Sequence, residues 1–424
     1  MGEALDAVLF GAPPILWLAG ALALFMAWTI GANDVANAMG TSVGSGALTI
    51  RRAIIVAAVL EFGGAFFVGG HVTETVRKGI LAPEAVALHM ADLPYGMLGA
   101  LAAAAVLLFG ATRFGLPVST THSIVGAIVG YGAVAMGLDA IEWGKISQII
   151  GSWLTSPLIG GVLAFLIFNF TRWLILDRED PEARVRRFGP LFYFVVTGVI
   201  GLVTLFKGLK NLSLDFALPQ ALGLSAGVGV LGAGLGAVLL SRVTANGPVP
   251  GDRFHQVERS FVLLQILTAC AVAFAHGSND VANAIGPLAA VIHSVSEVGY
   301  TKQAAVEPWM LLVGGAGIVL GLATWGYRVM ETVGRKITEL TPSRGFAAEL
   351  AAALTIVLAS RLGIPVSTTH ILVGSVLGVG LARGIGALDL RIIGTIVVSW
   401  VATLPIAAIL SILFFYLFRG LLAA

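Results

Sequence analysis

The stretch Gly31-Ala-Asn-Asp-Val-Ala-Asn-Ala38 returns almost unchanged as Gly277-Ser-Asn-Asp-Val-Ala-Asn-Ala284. A second stretch, Gly115-Leu-Pro-Val-Ser-Thr-Thr-His122, returns as Gly363-Ile-Pro-Val-Ser-Thr-Thr-His370 at nearly the same distance along the chain. Both motifs therefore occur once in each half and in the same order. This pattern indicates that the chain arose by internal duplication.

A weaker third pair extends the repeat. Trp153 and Pro157 in the first half are matched by Trp400 and Pro405 in the second half. The sequence therefore predicts a first repeat over 1–176, a middle segment over 177–257 and a second repeat over 258–424.

Composition places these repeats in a membrane. The 424 residues are 57% hydrophobic and only 11% charged, and the mean hydropathy is +0.94. This is more apolar surface than a water-soluble chain of this length can bury. Spanning segments are predicted to be helical, because the backbone in lipid must satisfy its own hydrogen bonds. Stretches such as Leu101–Gly110 do not alternate in polarity, which excludes a β-barrel.

The predicted fold is all-α and polytopic, with about twelve helical segments of spanning length. Acidic Glu3 and Asp6 near the start argue against a cleaved signal peptide, so we expect the first helix to be retained. The segments are predicted near 13–46, 52–76, 95–112, 116–137, 145–176, 189–207, 216–241, 258–290, 308–332, 344–361, 364–383 and 391–420.

The two repeats are predicted to have inverted topology. The first landmark lies on the first predicted helix and its copy on the eighth, an odd number of crossings later, so the copy inserts upside down. By the positive-inside rule the side richer in Lys and Arg is cytoplasmic, which puts both termini on the non-cytoplasmic side of the cell or inner membrane. The basic residues on that side include Arg51, Arg52, Arg184, Arg186, Arg187, Arg328, Arg335 and Lys336.

Buried polar residues mark a predicted cation site. A carboxylate with two amides is costly at membrane depth unless the group faces a polar cavity. Gly31 and Gly40 are predicted to interrupt the first helix and free backbone carbonyls. Together these oxygens would suit sodium, although the same polar side chains could instead bond one helix to another. The candidate cation ligands are Asn33, Asp34, Asn37, Asn279, Asp280, Asn283 and Glu61.

The second motif predicts an anion site. Gly and Pro ahead of hydroxyl residues are typical of a helix start. Apolar runs that lead directly into each motif favour a re-entrant hairpin, which would turn the positive helix end toward a cavity. The alternative is a capped helix that starts at the membrane surface. The candidate anion ligands are Ser119, Thr120, Thr121, Ser367, Thr368 and Thr369.

A pocket that combines carboxylates with the positive ends of helices suits an oxyanion that keeps a proton. Phosphate can donate a hydrogen bond to Asp34 or Asp280, whereas sulfate has no proton to donate, so phosphate is favoured. Glu61 could also carry a proton. The histidines, among them His276, are expected to fix neighbouring groups, so no transition metal is predicted.

At these motifs the chain resembles the inorganic phosphate transporter family, whose hallmark is a duplicated Gly-Ala-Asn-Asp-Val-Ala-Asn segment and a later Pro-Val-Ser-Thr-Thr-His. The resemblance implies a dimeric symporter with inverted repeats. It also implies a central phosphate held by the hydroxyl triplets, Asp34 and Asp280, with sodium beside it. Some members similar in sequence use protons, carry metal–phosphate complexes or move sulfate.

Other functions remain as alternatives or are excluded. A proton-coupled carrier of phosphate or sulfate and an anion channel both fit an anion site. Paired Asp34 and Asp280 could suggest an intramembrane aspartyl protease, but their identical settings in two repeats favour a binding site. The sequence contains no nucleotide-binding loop or zinc motif, so no enzyme and no cofactor are predicted. A net charge of +2 gives no reason to expect nucleic acid as a partner.

Overall fold

The computed structural model describes residues 13–70, 80–205, 216–244, 253–295, 306–361 and 366–422. Within these ranges the regular elements are helices joined by turns, and an isolated antiparallel bridge pairs Leu81 with Ile141. The predicted all-α class is confirmed. The helices are α1 Pro14–Gly44, α2 Ile50–Val68, α3 Pro83–Leu88, α4 Leu93–Arg113, α5 Thr120–Ala135, α6 Trp143–Thr171, α7 Pro181–Val203, α8 Leu218–Thr244, α9 Arg253–Val295, α10 Pro308–Trp325, α11 Tyr327–Glu331, α12 Pro342–Arg361, α13 Thr368–Arg383 and α14 Leu390–Leu422.

Helix length separates two classes of element. In the described ranges, nine helices are long and apolar enough to cross a membrane. By contrast α5 and α13 have 16 residues each, about 24 Å at 1.5 Å per residue. That length falls short of the roughly 30 Å of a hydrocarbon core. The chain is thus a multi-pass membrane protein in which α4–α5 and α12–α13 form two helical hairpins, called hairpin 1 and hairpin 2 below.

The serine of the motif caps the N-terminus of both α5 and α13. Ser119 and Ser367 have extended backbones and accept a hydrogen bond from the backbone N–H three residues later, at 3.3 Å in both helices. This is the geometry of an N-cap. In hairpin 1 the turn is made at Gly115, whose φ of +66° favours glycine. The helix therefore starts at Thr120, four residues later than the predicted 116.

The hairpins open toward opposite ends of the molecule. The start of α4 contacts the end of α14, where Asp92 pairs with Arg419 at 3.1 Å. Hairpin 2 opens near the start of α14, where the Asp389 N–H bonds to the Ile337 carbonyl at 3.1 Å. Because α14 has 33 residues and runs between these two places, the hairpins enter from opposite sides. This arrangement agrees with an inverted repeat.

Each short helix packs on a long helix of the other half. A Cβ added at Gly374 of α13 would lie 2.3 Å from the Pro157 carbonyl oxygen of α6, and one at Gly378 would lie 2.0 Å from that of Gly161. Gly126 and Gly130 are the matching residues of α5. A Cβ added to them would lie 2.8 Å from the Leu404 carbonyl oxygen and 2.4 Å from that of Ala408, both on α14. Glycines four residues apart let helix backbones touch. These two contacts, the cross-repeat seams, join the halves.

The predicted break in the first helix is wrong. Residues 14–44 form one continuous helix, and 253–295 form another. The glycines serve close packing instead, since a Cβ on Gly31 would lie 1.8 Å from the Ile318 carbonyl oxygen. A Cβ added to Gly40 would similarly lie 3.2 Å from the Cβ of Val333. The backbone of α1 therefore offers no freed carbonyls to a cation.

Candidate anion and cation site

Four ionisable side chains meet in the interior. His276 on α9 lies 2.8 Å from Glu61 of α2 through Nδ1, and 2.8 Å from Asp280 through Nε2. The same Nε2 is 3.7 Å from Asp34 of α1. All four side chains are at most 1% exposed. Three carboxylates thus surround one imidazole, which can carry at most one positive charge, and this group is called the acidic cluster.

Glycine contacts explain why these helices come so close. Gly277 lets α2 and α9 touch, because its missing Cβ would lie 2.2 Å from the Glu61 carbonyl oxygen. Gly64 makes the same kind of approach to the Phe274 carbonyl oxygen, also at 2.2 Å. His276 and Asp280 are one helical turn apart on α9 and share a face. The second copy of the motif therefore supplies Gly277 and Asp280, whereas Glu61, Gly64 and His276 lie outside the repeated motif.

The hydroxyl residues of hairpin 2 reach the acidic cluster. Thr368 donates to Asp280 Oδ2 and Thr369 donates to Asp34 Oδ1, each at 3.1 Å. Thr369 thereby links a residue of the second half to a carboxylate of the first. Both Thr side chains are at most 4% exposed, so the start of α13 lies inside the protein and beside the carboxylates.

Hairpin 1 reaches the same place through an amide. Asn283 Nδ2 donates to Thr120 Oγ1 at 3.1 Å and to Asp280 Oδ1 at 3.2 Å, and it lies 3.5 Å from Thr121 Oγ1. Asn279 donates to Asp280 Oδ1 at 3.2 Å. The starts of α5 and α13 therefore converge on one buried cluster. The first backbone N–H groups of each helix have no acceptor within the helix, and they bring the positive end of the helix dipole there.

Other predicted site residues have different surroundings. Asn33 turns toward hairpin 1, where it donates to Thr112 Oγ1 at 2.9 Å and to the Leu116 carbonyl at 3.0 Å, and accepts from the Val118 N–H at 3.2 Å. Its amide thus holds the hairpin against α1 and does not point to the carboxylates. The side chain of Asn37 lies outside the described residues.

Sequence reasoning anticipated two features only in part. His276 was expected to fix a neighbouring group, and it bonds to Glu61 and Asp280. The gathering of all three carboxylates around it was not predicted, although its place one turn before Asp280 was an available signal. The second is a buried Glu349, which accepts from Ser42 at 2.9 Å, from Thr268 at 2.6 Å and from Thr41. The apolar stretch around Glu349 marks an unusual carboxylate. Because its hydroxyl partners come from two other helices, no local pattern could have revealed them.

The ionisable groups break the repeat symmetry. Matching the motifs places Ile30 opposite His276, because each precedes the glycine of its motif. The Gly-Gly-Ala segments at 63–65 and 314–316 place Leu312 opposite Glu61. Leu101 similarly stands opposite Glu349, at the same distance before the histidine of its motif. Of these ionisable groups, only the aspartate of the motif occurs in both halves, as Asp34 and Asp280.

The cluster has the donor set of a cation site. One ligand atom each from Asp34, His276 and Asp280 lie within 4.8 Å of one another. Carboxylate oxygens suit hard cations, and an added imidazole nitrogen also suits first-row transition metals. The site thus places ligand atoms of the kind that bind cations beside two helix starts, whose N–H groups are donors of the kind that bind anions.

Comparisons with known proteins identify the family of this chain. The model of the phosphate transporter family matches residues 30–411. Two relatives, each named "Putative phosphate permease", come from Haemophilus influenzae (45% identical over 96% of this chain and 97% of the relative) and Pyrococcus abyssi (46% identical, over 95% and 97%). A solved structure described as the sodium-dependent phosphate transporter has a TM-score of 0.88 and 39% identity, covering 97% of this chain and all of its own. The chain therefore belongs to the phosphate transporter family and is a membrane transporter, not an enzyme.

Proposed function

We propose that the protein imports inorganic phosphate by symport with sodium, through alternating access around the acidic cluster. The observation that carries the proposal is the convergence of the two helix starts, at Thr120 and Thr368, on the carboxylates of Asp34 and Asp280. A phosphate bound there would receive backbone N–H groups and hydroxyls from both hairpins. In this proposal Ser119 and Ser367 support the site by capping the two helices.

The charge balance supports coupling to a cation. Three carboxylates face one imidazole, so the cluster is negative in either protonation state of His276 when its carboxylates are ionised, and in that state it would repel an anion alone. Bound cations would remove that repulsion before phosphate enters. We propose sodium because the similar solved structure is described as sodium-dependent. Asp34, Asp280 and Glu61 would be its principal ligands, and Asn279 and Asn283 lie close enough to join them.

Phosphate also fits the acceptors of the site. A carboxylate left facing an anion without a proton would be unpaired, whereas a hydroxyl of phosphate can donate to Asp34 or Asp280. Thr368 and Thr369 now donate to those carboxylates. On binding, the hydroxyls could turn to the anion while the phosphate proton takes their place on the carboxylates.

A second candidate is a carrier of phosphate coupled to protons or bound to a divalent metal. The grouping of Asp34, His276 and Asp280 within 4.8 Å favours it, because it mixes imidazole and carboxylate donors. Both candidates share the phosphate site and differ only in the cation. We further propose that the carrier is a homodimer in the cell membrane with both termini on the non-cytoplasmic side.

The test is phosphate uptake into proteoliposomes with sodium and pH gradients imposed separately. We expect uptake driven by the sodium gradient alone and little inhibition by excess sulfate. Uptake that needs the pH gradient or added Zn²⁺ or Mn²⁺ would favour the second candidate. Flux that needs no cation gradient would instead indicate a channel.

Asp34→Asn and Asp280→Asn test the site itself. Each should reduce uptake about thirtyfold or more, because removing one partner of a buried charged network costs about 2–5 kcal/mol. Asp139→Asn is the matched control, since Asp139 is exposed at the tip of a loop, and it should transport normally. Normal transport by both buried variants would refute the site assignment.

A further inference from the structure

Four aromatic side chains form a continuous stack behind the two helix starts. The His122 ring lies on the Trp153 ring with centroids 3.5 Å apart, and the His370 ring lies on the Trp400 ring at 3.7 Å. The two histidines meet edge to face at 4.3 Å. Both histidines are 3% exposed and Trp153 is 5% exposed. We call this group the histidine–tryptophan stack.

The stack is built from equivalent residues of the two halves. Each histidine follows the Ser-Thr-Thr triplet of its motif, in the first turn of α5 or α13. Each tryptophan lies ahead of the proline in its long helix, α6 or α14. Because the histidines touch each other, the first turns of α5 and α13 are held apart by two imidazole rings.

A proline explains one bond that fixes the stack. The carbonyl of Trp153 would accept from residue 157 in a regular helix, but Pro157 has no N–H to donate. His370 Nδ1 lies 3.4 Å from that carbonyl oxygen. Since a carbonyl can only accept, this nitrogen carries the proton. The side chain of the second half thus satisfies a carbonyl freed in the first half.

A second bond also runs from a donor in the second half to a carbonyl in the first half. Trp400 Nε1 of α14 donates to the Pro117 carbonyl at 3.1 Å, just ahead of the α5 cap. Both hairpins are therefore tied through the stack to a long helix of the other repeat. The cross-repeat seams fix the same pairs of helices farther along, so the stack determines the spacing at the helix starts.

We propose that His122 and His370 are positioning residues that set the gap between the starts of α5 and α13, and thereby the size of the tetrahedral oxyanion that both helices can bind together. This inference rests on the proposed phosphate site. The imidazoles act behind the site, through the backbone of the turns that bind the anion. A displacement of about 1 Å at such a site can cost about a hundredfold in rate, so two rings in contact can control selectivity.

The experiment compares phosphate with the slightly larger arsenate in sodium-driven uptake. His122→Ala and His370→Ala should each raise KM for phosphate about tenfold and change the phosphate-to-arsenate ratio of kcat/KM by a similar factor. His370→Phe keeps a ring between the helix starts but loses the bond to the Trp153 carbonyl, so its KM should rise less than that of His370→Ala. His89→Ala is the matched control, because among the described residues the His89 ring bonds to the Ala85 carbonyl of the adjoining short helix, at 3.0 Å.

The double alanine variant adds a readout that general loss of stability would not give. Because the two rings share one contact, the combined effect on KM should be smaller than the product of the single effects. If an alanine variant does not fold, as judged by size-exclusion chromatography, His122→Asn and His370→Asn replace it, with the same expected shift in selectivity.

Unchanged KM and unchanged selectivity in folded variants would overturn the inference, and so would a loss confined to kcat. Failure of the proposed function looks different. If wild-type protein takes up neither phosphate nor arsenate under any cation gradient, the phosphate site itself is wrong.

Discussion

Thr369 shows at the scale of one residue how the two halves share a site. Its hydroxyl comes from hairpin 2 and donates to Asp34 of the first half at 3.1 Å. Hydrogen bonds to charged groups contribute about 1.5–3 kcal/mol, more than bonds between neutral groups. The contact therefore both orients the carboxylate and holds the start of α13 against α1.

Thr369→Val should weaken phosphate uptake about tenfold or more, because the isosteric methyl group cannot donate to Asp34 or to a bound anion. Thr369→Ser keeps the hydroxyl and should retain most activity. The measurement is KM for phosphate in sodium-driven uptake.

Thr355→Val serves as the matched control. Thr355 is 3% exposed on the neighbouring α12, and its hydroxyl bonds back to the Ala351 carbonyl at 2.8 Å. Equal losses in Thr369→Val and Thr355→Val would mean that any buried Thr→Val change harms the protein, and the specific role of Thr369 would fall.

The residues that the sequence could identify are those whose role shows in the repeat. Asp34, Asp280 and the threonine pairs stand in duplicated motifs, and the structure brings them within hydrogen-bond distance. Asn33 belongs to the same motif but bonds to hairpin 1, because which neighbour an amide meets depends on packing. Whether these residues bind sodium or phosphate stays a prediction.

At the scale of elements, the cross-repeat seams carry the architecture. Glycines of α13 and α5 admit the backbone of α6 and α14 from the opposite half, and any side chain there would force the helices apart. Overpacking a close contact costs about 1–3 kcal/mol. The seams therefore make each hairpin depend on the other half for its position.

Gly374→Ala should lower the melting temperature and the yield of folded protein, since its Cβ would lie 2.3 Å from the Pro157 carbonyl oxygen. We expect a loss of about 1–3 kcal/mol in the free energy of unfolding. A fluorescence-based thermal-shift assay in detergent measures the change in melting temperature.

Gly394→Ala is the matched control for the seam. It adds the same methyl group on α14, where nothing lies within 4 Å, and should be neutral or slightly stabilising because alanine favours helix. A seam variant as stable as the control would contradict the packing argument.

Sequence patterns predicted the hairpins but not the course of α1. Gly-x-Pro-x-Ser-Thr indicates a helix start through local chemistry, and the starts at Thr120 and Thr368 follow it. The glycines of the first motif have two uses, helix interruption and close packing. Only the position of α10 against Gly31 decides between these uses, and a single sequence does not contain it.

At the scale of the whole molecule, the opposed hairpins predict which loops face the cell exterior. The loop at Asp139 lies at the open end of hairpin 1, and Asp177 lies at the other end of α6. By the distribution of Lys and Arg, the first should be outside and the second cytoplasmic.

Cysteine labelling tests this orientation, because Cys270 is the sole cysteine of the chain and can be replaced by alanine. On that background, Asp139→Cys in intact cells should react with a membrane-impermeant maleimide, and Asp177→Cys should react only after permeabilisation. The reverse pattern would invert the topology while leaving the fold unchanged.

Three ionisable residues correspond to aliphatic residues at the matching positions of the other repeat: Glu61, His276 and Glu349. In the proposed alternating-access carrier, two identical inverted halves would give the empty protein equal free energy whichever compartment it faced. These three unmatched groups remove that degeneracy. A free-energy difference of only a few kcal/mol between the two orientations is enough to leave one of them dominant. The empty protein would therefore be open mainly to one compartment.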